Sequence, residues 1–271
     1  LINFFFLNMT ETNASQINDA ATDNSLSCVE FLHSRIRIAN TISFREFMQA
    51  ALYHSNGGYY ATQATRVGKD GDFFTSVSVG QCFGKILAHR VHQLWCEMNK
   101  PTDFQLIELG ANNATLCIDI LKELQVLEPD HSFSYHIVEP LQALQEVQAQ
   151  HISEQGLPPV IHHREFSEIR DLTGIFLSNE LIDAFPVEVL KLIDGAWQQM
   201  HVNSDGDSFT ETWKQIGDDY AELVEFTKGL GTDFPDGYLT EFRPELRPFL
   251  KQAADAIGKG MVLVVDYGFP R

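Results

Sequence analysis

The sequence predicts an α/β fold built on a mostly parallel sheet, and three observations carry that reading. The stretch 104–119, FQLIELGANNATLCID, passes from an apolar run through a glycine turn into helical spacing. After it, short continuous apolar runs alternate with helical patterns as far as MVLVVDYG, the order of strand–helix crossovers. Between them, 187–213 reads strand, turn, strand, turn, strand, which marks a β-rich insertion.

Size and charge bound the answer. The chain has 271 residues, 44% of them apolar, enough for a sizeable core in one large domain with an elaboration or in two small ones. Nineteen basic residues against 37 acidic give a net charge of −18. Duplex nucleic acid is a poor partner for such a chain, because phosphate binding needs clustered Lys and Arg. A cationic protein or peptide suits it better. Cys28, Cys82, Cys96 and Cys117 form no C-x-x-C pair, so a reducing compartment fits and a zinc ribbon does not. Cys96 and Cys117 lie in apolar helical patterns and read as small core residues. Residues 1–8, LINFFFLN, are too short to span a bilayer. No Lys or Arg precedes Arg35, which speaks against a secretory n-region or an Arg-rich transit peptide. The first Met is Met9, so residues 1–8 are expected to come from an upstream extension or a fragment boundary.

In chain order, the polar residues 9–27 read as a disordered lead-in, with the boundary drawn at 34. Ser43 and Glu46 make an S-x-x-E capping box, followed by the face Phe44, Phe47, Met48, Ala51 and Leu52. That helix ends at SNGG, and Tyr59 and Tyr60 read as core. GKDGDFFTS, 68–76, is a loop rich in small hydrogen-bonding groups. Gln81 to Met98 is a helix with Phe83, Leu87, Val91, Leu94, Trp95 and Met98 inward. His89 and His92 lie three apart on it with no evident third ligand, so no metal site is expected.

At the central loop, Leu106 and Ile107 close a strand, Glu108 follows, and Gly110 opens a turn. Leu116, Ile120, Leu121, Leu124 and Leu127 then share one helical face. This geometry turns a helix N-terminus and free backbone N–H groups toward a ligand. A dinucleotide loop wants G-x-G-x-x-G, and a methyltransferase loop wants G-x-G-x-G after an acid. Here the three positions are Gly110, Asn112 and Ala114. Asn tolerates left-handed backbone angles and Ala is the smallest substitute for glycine, so the loop survives with less room for a ligand.

YHIVE, 135–139, is a second strand whose terminal Glu139 stands where nucleotide-binding α/β folds bond ribose hydroxyls. Leu141, Leu144 and Val147 point inward from the next helix. Val160 to Glu165 reads as a third strand, with Glu165 and Phe166 where such folds bond and pack adenine; His162 and His163 face opposite ways on it. Gly174 to Pro186 is a buried strand and a polar turn that gathers Asn179, Glu180 and Asp183. Asp194–Gly195 and NSDGDS are hairpin turns. A helix is expected around Tyr220 to Phe226 and another from Arg243 to Ile257, stopped by Gly258–Gly260 before a fifth strand. The resulting division is 1–34 lead-in, 35–98 helical lid segment, 99–185 cofactor-binding core, 186–240 β insertion on the substrate side, and 241–271 core continued.

Six stretches run in a fixed order from Ile42 to Arg271: ISFREFMQAALYHSNGGYY, GKDGDFFTSVSVGQCFG, IELGANNATL, YHIVE, LSNELIDAFPVEV and VVDYGFPR. Together they resemble the MidA-like family of S-adenosylmethionine-dependent methyltransferases, whose mitochondrial members methylate a protein arginine in complex I assembly. The family loop reads ELGAGxGTL, so Asn112 and Ala114 depart from it. The resemblance implies the Rossmann-like class I methyltransferase sheet, covered here to its fifth strand, with the last two strands beyond Arg271. It implies S-adenosyl-L-methionine as cofactor, held by Glu108, Gly110, Asn112, Glu139, Glu165 and Phe166, with Thr75 and Ser76 folding over the pocket.

For the chemistry, Glu180 is the first choice to clamp a substrate guanidinium and concentrate electron density on the attacking nitrogen. Asn179 would orient it and Asp183 is the second carboxylate, with Glu241 a further candidate. Capping of the next turn through the Asp183 N–H is the competing role for Glu180. The expected partner is an arginine-bearing protein, without nucleic acid or membrane; a homodimer is an option. The compartment would be the cytoplasm of a bacterium or the mitochondrial matrix of a eukaryote. Two other classes stand beside this reading. One is a non-catalytic assembly factor on the same fold. The other, placed last, is an NAD-binding oxidoreductase, which wants a third glycine and an acid nearer the loop than Glu139.

Overall fold

The computed structural model describes residues 26–60, 80–218 and 220–266. Helix α1 (Cys28–Ala39) starts on a Ser27/Glu30 capping box and turns Cys28, Leu32 and Ile36 inward. The boundary expected at 34 therefore falls inside a helix. The signal was an S-x-x-E box ahead of an i, i+4, i+8 stripe, the same one that marks Ser43 and Glu46. Strand β1 (Ile42–Ser43) leads into α2 (Phe44–Tyr53), which has its Ser43/Glu46 box and buries Ala50 and Tyr53. Helix α3 (Cys82–Glu97) follows, burying Leu87, Ala88, Val91, Leu94 and Trp95.

The chain then alternates through β2 (Gln105–Leu109), α4 (Thr115–Leu127), β3 (Ser134–Val138), α5 (Gln142–Glu154), β4 (Ile161–His163) and β5 (Leu172–Asn179). Next come β6 (Glu188–Ile193), β7 (Ala196–Ser204), β8 (Phe209–Gln215), α6 (Ala221–Leu230), β9 (Leu239–Phe242), α7 (Leu246–Ala256) and β10 (Ile257–Val265). The described residues divide into two units, one holding 80–183 and 248–266, the other 26–60 and 184–247.

The first unit is the α/β core. Its sheet runs β10-β5-β2-β3-β4, and every pair is parallel. The chain steps outward from β2 to β3 and β4, then crosses to the other side of β2 with β5 and β10. That reversal between β2 and β5 is a topological switch point, where open α/β sheets bind ligands outside the carboxyl ends of their strands. Leu106, Ile107, Ile120, Leu124, Ile137, Ile175 and Leu177 are fully or almost fully buried in this unit. Helix α3 lies against α4.

Two expectations in this unit change. Helix α5 buries Leu144, Gln148 and Ile152, while Leu141 and Val147 are exposed. The buried stripe thus runs i, i+4, i+8 through a polar residue, which a count of apolar positions passes over. Helix α7 begins at Leu246, not Arg243, because a residue before proline is disfavoured in the helical region and Leu246 N–H closes a turn on the Arg243 carbonyl. Gly258 and Gly260 do not stop the helix; they lie inside β10. A Cβ on Gly260 would stand 1.8 Å from the Gly174 carbonyl oxygen, and one on Gly174 would stand 1.9 Å from that of Gln105. The glycines allow β10, β5 and β2 to approach closely.

The second unit is antiparallel. β7 pairs with β1, β6 and β8, and β9 adds to β6. The β6–β7 turn uses Asp194 and Gly195, both left-handed with φ 49° and 75°, as a two-residue hairpin requires. One core gathers Cys28, Leu32, Ile36, Ile42, Ala50 and Val202; another gathers Leu190, Leu192, Trp197 and Leu223. Ile42 and Ser43 pair with Val202 and His201. Residues 26–60 and strands β6 to β9 therefore form one unit, and α3 stands in the other.

Candidate functional site

Strand register lines up the carboxyl edge of the parallel sheet. Leu109 pairs with Val138 on one side and Ser178 on the other. The next residues, Glu139, Gly110 and Asn179, therefore lie side by side, with Gly110 in the middle. Leu181, just past β5, packs on the glycine turn, where a Cβ on Gly110 would come 3.2 Å from its Cδ1.

The loop after β2 meets the glycine pattern in its backbone. Gly110, Asn112 and Ala114 have φ of 73°, 48° and 65°, all left-handed. The alternation that glycines normally supply is thus a conformational requirement, and Asn112 and Ala114 meet it with Cβ atoms at some cost. Ala114 is fully buried in the core cluster, while Asn112 is exposed. Asn113 Oδ1 accepts from the N–H and hydroxyl of Thr115 at 3.2 and 2.7 Å, which starts α4. Helix α5 holds the loop's carbonyls: Gln148 Nε2 donates to Asn112 at 2.7 Å, and His151 Nδ1 to Asn113 at 3.1 Å.

Glu139 is completely buried. Its Oε1 accepts the Leu141 N–H at 2.9 Å, and its Oε2 has no hydrogen-bond partner. Burial pushes the carboxyl up to about 7, against the Leu141 N–H and Gln148, which pull it down. A buried acceptor oxygen without a donor is costly, and a diol in the crevice would satisfy it. Asn179 Oδ1 is a second buried oxygen lacking a partner.

Glu108 is buried beneath the loop and accepts the Tyr135 hydroxyl at 2.7 Å. Burial raises it to about 7, with Tyr135 opposing. At the end of β4, Glu165 caps a short 3₁₀ turn, Phe166–Glu168, and accepts from Ser167 Oγ at 2.9 Å. Phe166 is buried against Phe176, ring centroids 4.9 Å apart. His162 bonds Gln148 while His163 bonds His136, so the two turn apart as expected. Thr75 and Ser76 lie outside the described residues, as does the loop that carries them.

After β5, Glu180 is left-handed at φ 47°, and its N–H donates to the Val265 carbonyl at 2.8 Å. Asp266, at the end of β10, accepts the N–H groups of Ile182 and Asp183, each at 3.1 Å. The capping role considered for Glu180 thus belongs to Asp266. Strain at a strand end facing a ligand crevice is a common mark of function. Glu241 stands in the second unit, paired with Arg243 at 2.8 Å. Three residues that organise the site were not singled out from sequence: Gln148, Tyr135 and Asp266. Gln148 was legible only as a polar residue on the α5 stripe, and the other two only through register.

Comparison with known proteins bears on this geometry. Residues 86–271 match the model of a family described as "Putative S-adenosyl-L-methionine-dependent methyltransferase". A Drosophila melanogaster protein named "Protein arginine methyltransferase NDUFAF7 homolog, mitochondrial" is 32% identical over 202 residues, 66% of this chain and 46% of that protein. The Mus musculus protein arginine methyltransferase NDUFAF7, mitochondrial, is 28% identical over 211 residues, 69% of this chain and 48% of that protein. The chain spans about half the length of the curated relatives it matches. A Burkholderia thailandensis protein crystallised with S-adenosyl-homocysteine is 25% identical, with a TM-score of 0.76 over 93% of this chain and 65% of that one.

Proposed function

This chain belongs to the S-adenosyl-L-methionine-dependent methyltransferase family matched over residues 86–271, and on that premise we propose that its switch-point crevice binds this cofactor and serves methyl transfer to an arginine of a partner protein. The observation that carries the reading is Glu139: a buried carboxylate at the second core strand, beside the glycine turn, with one oxygen lacking a donor. A ribose diol offers the two hydroxyl donors such a carboxylate accepts. The left-handed turn at Gly110, Asn112 and Ala114 keeps backbone close to the same edge.

The cofactor supplies an electrophilic methyl group on a sulfonium sulfur. The protein's task is positioning, since the displacement needs little covalent work from side chains. Glu139 would hold the ribose, and the loop would hold the adjoining part of the cofactor. Glu165 and Phe166 are assigned to the adenine side, and Thr75 and Ser76 would fold over the pocket. Glu180 would hold the guanidinium, which is otherwise a poor nucleophile because its charge is delocalised, and Asn179 would orient it. Asp183 is the second carboxylate. In a eukaryotic cell the same reading assigns the protein to mitochondria, as in the names of the fly and mouse relatives.

Isothermal titration tests the cofactor. S-adenosylmethionine should bind with one-to-one stoichiometry and NADH should not; the reverse result removes the proposal. Glu139→Ala should weaken binding by about tenfold to a hundredfold, the loss of roughly 1.5–3 kcal/mol for a bond to a charged group.

A further inference from the structure

We propose that His92, Cys96 and Glu128 form a binding site for a zinc-class divalent cation that ties α3 to α4. His92 and Cys96 lie at i and i+4 on α3, so their side chains share one helix face. Glu128 is the C-cap residue of α4, which packs on α3. One ligand atom from each converges: all three lie within 4.8 Å of one another. His92 Nε2 is 2.8 Å from Glu128 Oε1 and 3.8 Å from Cys96 Sγ. Donors at zinc-bond distances in a tetrahedron stand roughly 3.3–3.6 Å apart, so a cation would widen the His92–Glu128 edge and draw Cys96 Sγ inward.

The donor set selects the ion. A thiolate with an imidazole and a carboxylate is the mixture that zinc accepts, whereas magnesium and calcium want oxygen alone. Three protein donors leave a fourth position for water. Binding would replace the His92–Glu128 hydrogen bond with two metal bonds; the His92 proton would pass from Nε2 to Nδ1 by way of solvent, and the Cys96 thiol would release its proton to solvent. Lys100 Nζ bonds Glu128 Oε1 at 2.6 Å and lies 4.8 Å over the Trp95 ring. It competes for that oxygen without metal and can bond the carboxylate's outer oxygen when metal is held, as outer partners of metal-bound carboxylates do.

The site is separate from the crevice. Glu128 closes α4 and Ala114 opens it, so the helix of 13 residues lies between, about 20 Å at 1.5 Å per residue. A cation there would brace the helix that carries the cofactor loop without entering the reaction. The sequence reading passed over the site because it paired His92 with His89. In the structure His89 turns to Glu123, at 3.2 Å, and His92 turns to Cys96 and Glu128. The plainer alternative is a solvated His92–Glu128–Lys100 network in which Cys96 takes no part.

Cobalt(II) and zinc, added to the untagged 271-residue chain, separate the two. Cobalt(II) should bind one-to-one with a thiolate-to-metal charge-transfer band, and zinc should displace it. Cys96→Ser and His92→Gln should each weaken zinc binding by more than about tenfold, while Cys82→Ser, at an exposed cysteine, should leave it unchanged. Zinc should raise the thermal midpoint of the wild type only. Absence of the thiolate band in the wild type overturns the proposal whatever the variants do. So does wild-type zinc affinity in folded Cys96→Ser.

Discussion

Gln148, buried on α5, donates its side-chain amide to the carbonyl of Asn112 at 2.7 Å. Its oxygen accepts from His162 Nε2 at 2.9 Å, which fixes the donor on that imidazole nitrogen. Burial holds His162 below its ordinary pKa. The same amide offsets part of the rise that burial causes in the Glu139 pKa, without satisfying that carboxyl's Oε2. One side chain therefore links the loop after β2, the end of β4 and the buried acid.

Gln148→Leu removes that link while keeping most of the volume. It leaves the Asn112 carbonyl and the His162 N–H without their partner, each costing about 1–3 kcal/mol where burial is complete. The urea midpoint should fall, and S-adenosylmethionine affinity should fall with it as the loop loosens. If both stay at wild-type values, the loop is held by something else.

The two departures from the glycine pattern should behave differently. Ala114 is left-handed with its methyl in the core, so Ala114→Gly acts on stability. Relief of the left-handed Cβ, about 1 kcal/mol, competes with a more flexible unfolded chain. The melting temperature should rise or hold, and a clear drop would show that the methyl's packing dominates. Asn112 is exposed on the loop, so Asn112→Gly should act on the ligand and tighten cofactor binding by titration. Unchanged affinity would mean that the Asn112 side chain does not crowd the crevice.

The sheet was legible because fully buried parallel strands read as apolar runs bounded by glycine turns, as at 104–110 and 174–180. Glu139 and the Asn179–Glu180 pair were legible as polar residues ending such runs. What lies across strands was not. The bond from Tyr135 to Glu108 joins neighbours 27 positions apart, and Asp266 reaches Asp183 across 83; register decides both. The second unit was hidden for the same reason, since a two-residue strand at Ile42–Ser43 has no periodicity of its own and exists through its pairing with β7.

Glu108 and Glu139 are both pushed up to about 7 by burial, far above an unfolded value of about 4.3. The folded protein then holds these protons more tightly than the unfolded chain. Their contribution to stability is full below the unfolded value and is lost as the pH rises through about 7. Glu108→Gln cannot ionise and keeps an acceptor for Tyr135. Relative to wild type it should gain on the order of 2–4 kcal/mol between about pH 4 and about pH 8, read by denaturant unfolding at a series of pH values. A constant difference would mean that Glu108 titrates normally. Ligand binding should run the other way: hydroxyl donors favour ionised Glu139, so cofactor affinity should rise through the same window.

Glu180 is the sharpest test of the chemistry. Its left-handed φ of 47° at the end of β5 carries the chain across the carboxyl edge, and its N–H is committed to Val265. The N–H groups of Ile182 and Asp183 are committed to Asp266. The Asp183 N–H therefore goes to Asp266, and Asp266→Ala is the variant that should loosen this turn and lower the melting temperature. Glu180→Gln keeps the shape and removes the charge. If the carboxylate holds a guanidinium, cofactor affinity and thermal stability should stay at wild-type values while methyl transfer to an arginine-bearing partner falls about thirtyfold to a hundredfold, a barrier increase of roughly 2–3 kcal/mol. Equal methylation by wild type and Glu180→Gln sinks the assignment. Cofactor binding by both with methylation by neither would favour an assembly factor that keeps the fold and the ligand without turnover, and the left-handed alanine at 114 would then mark a loop no longer held to a catalytic standard.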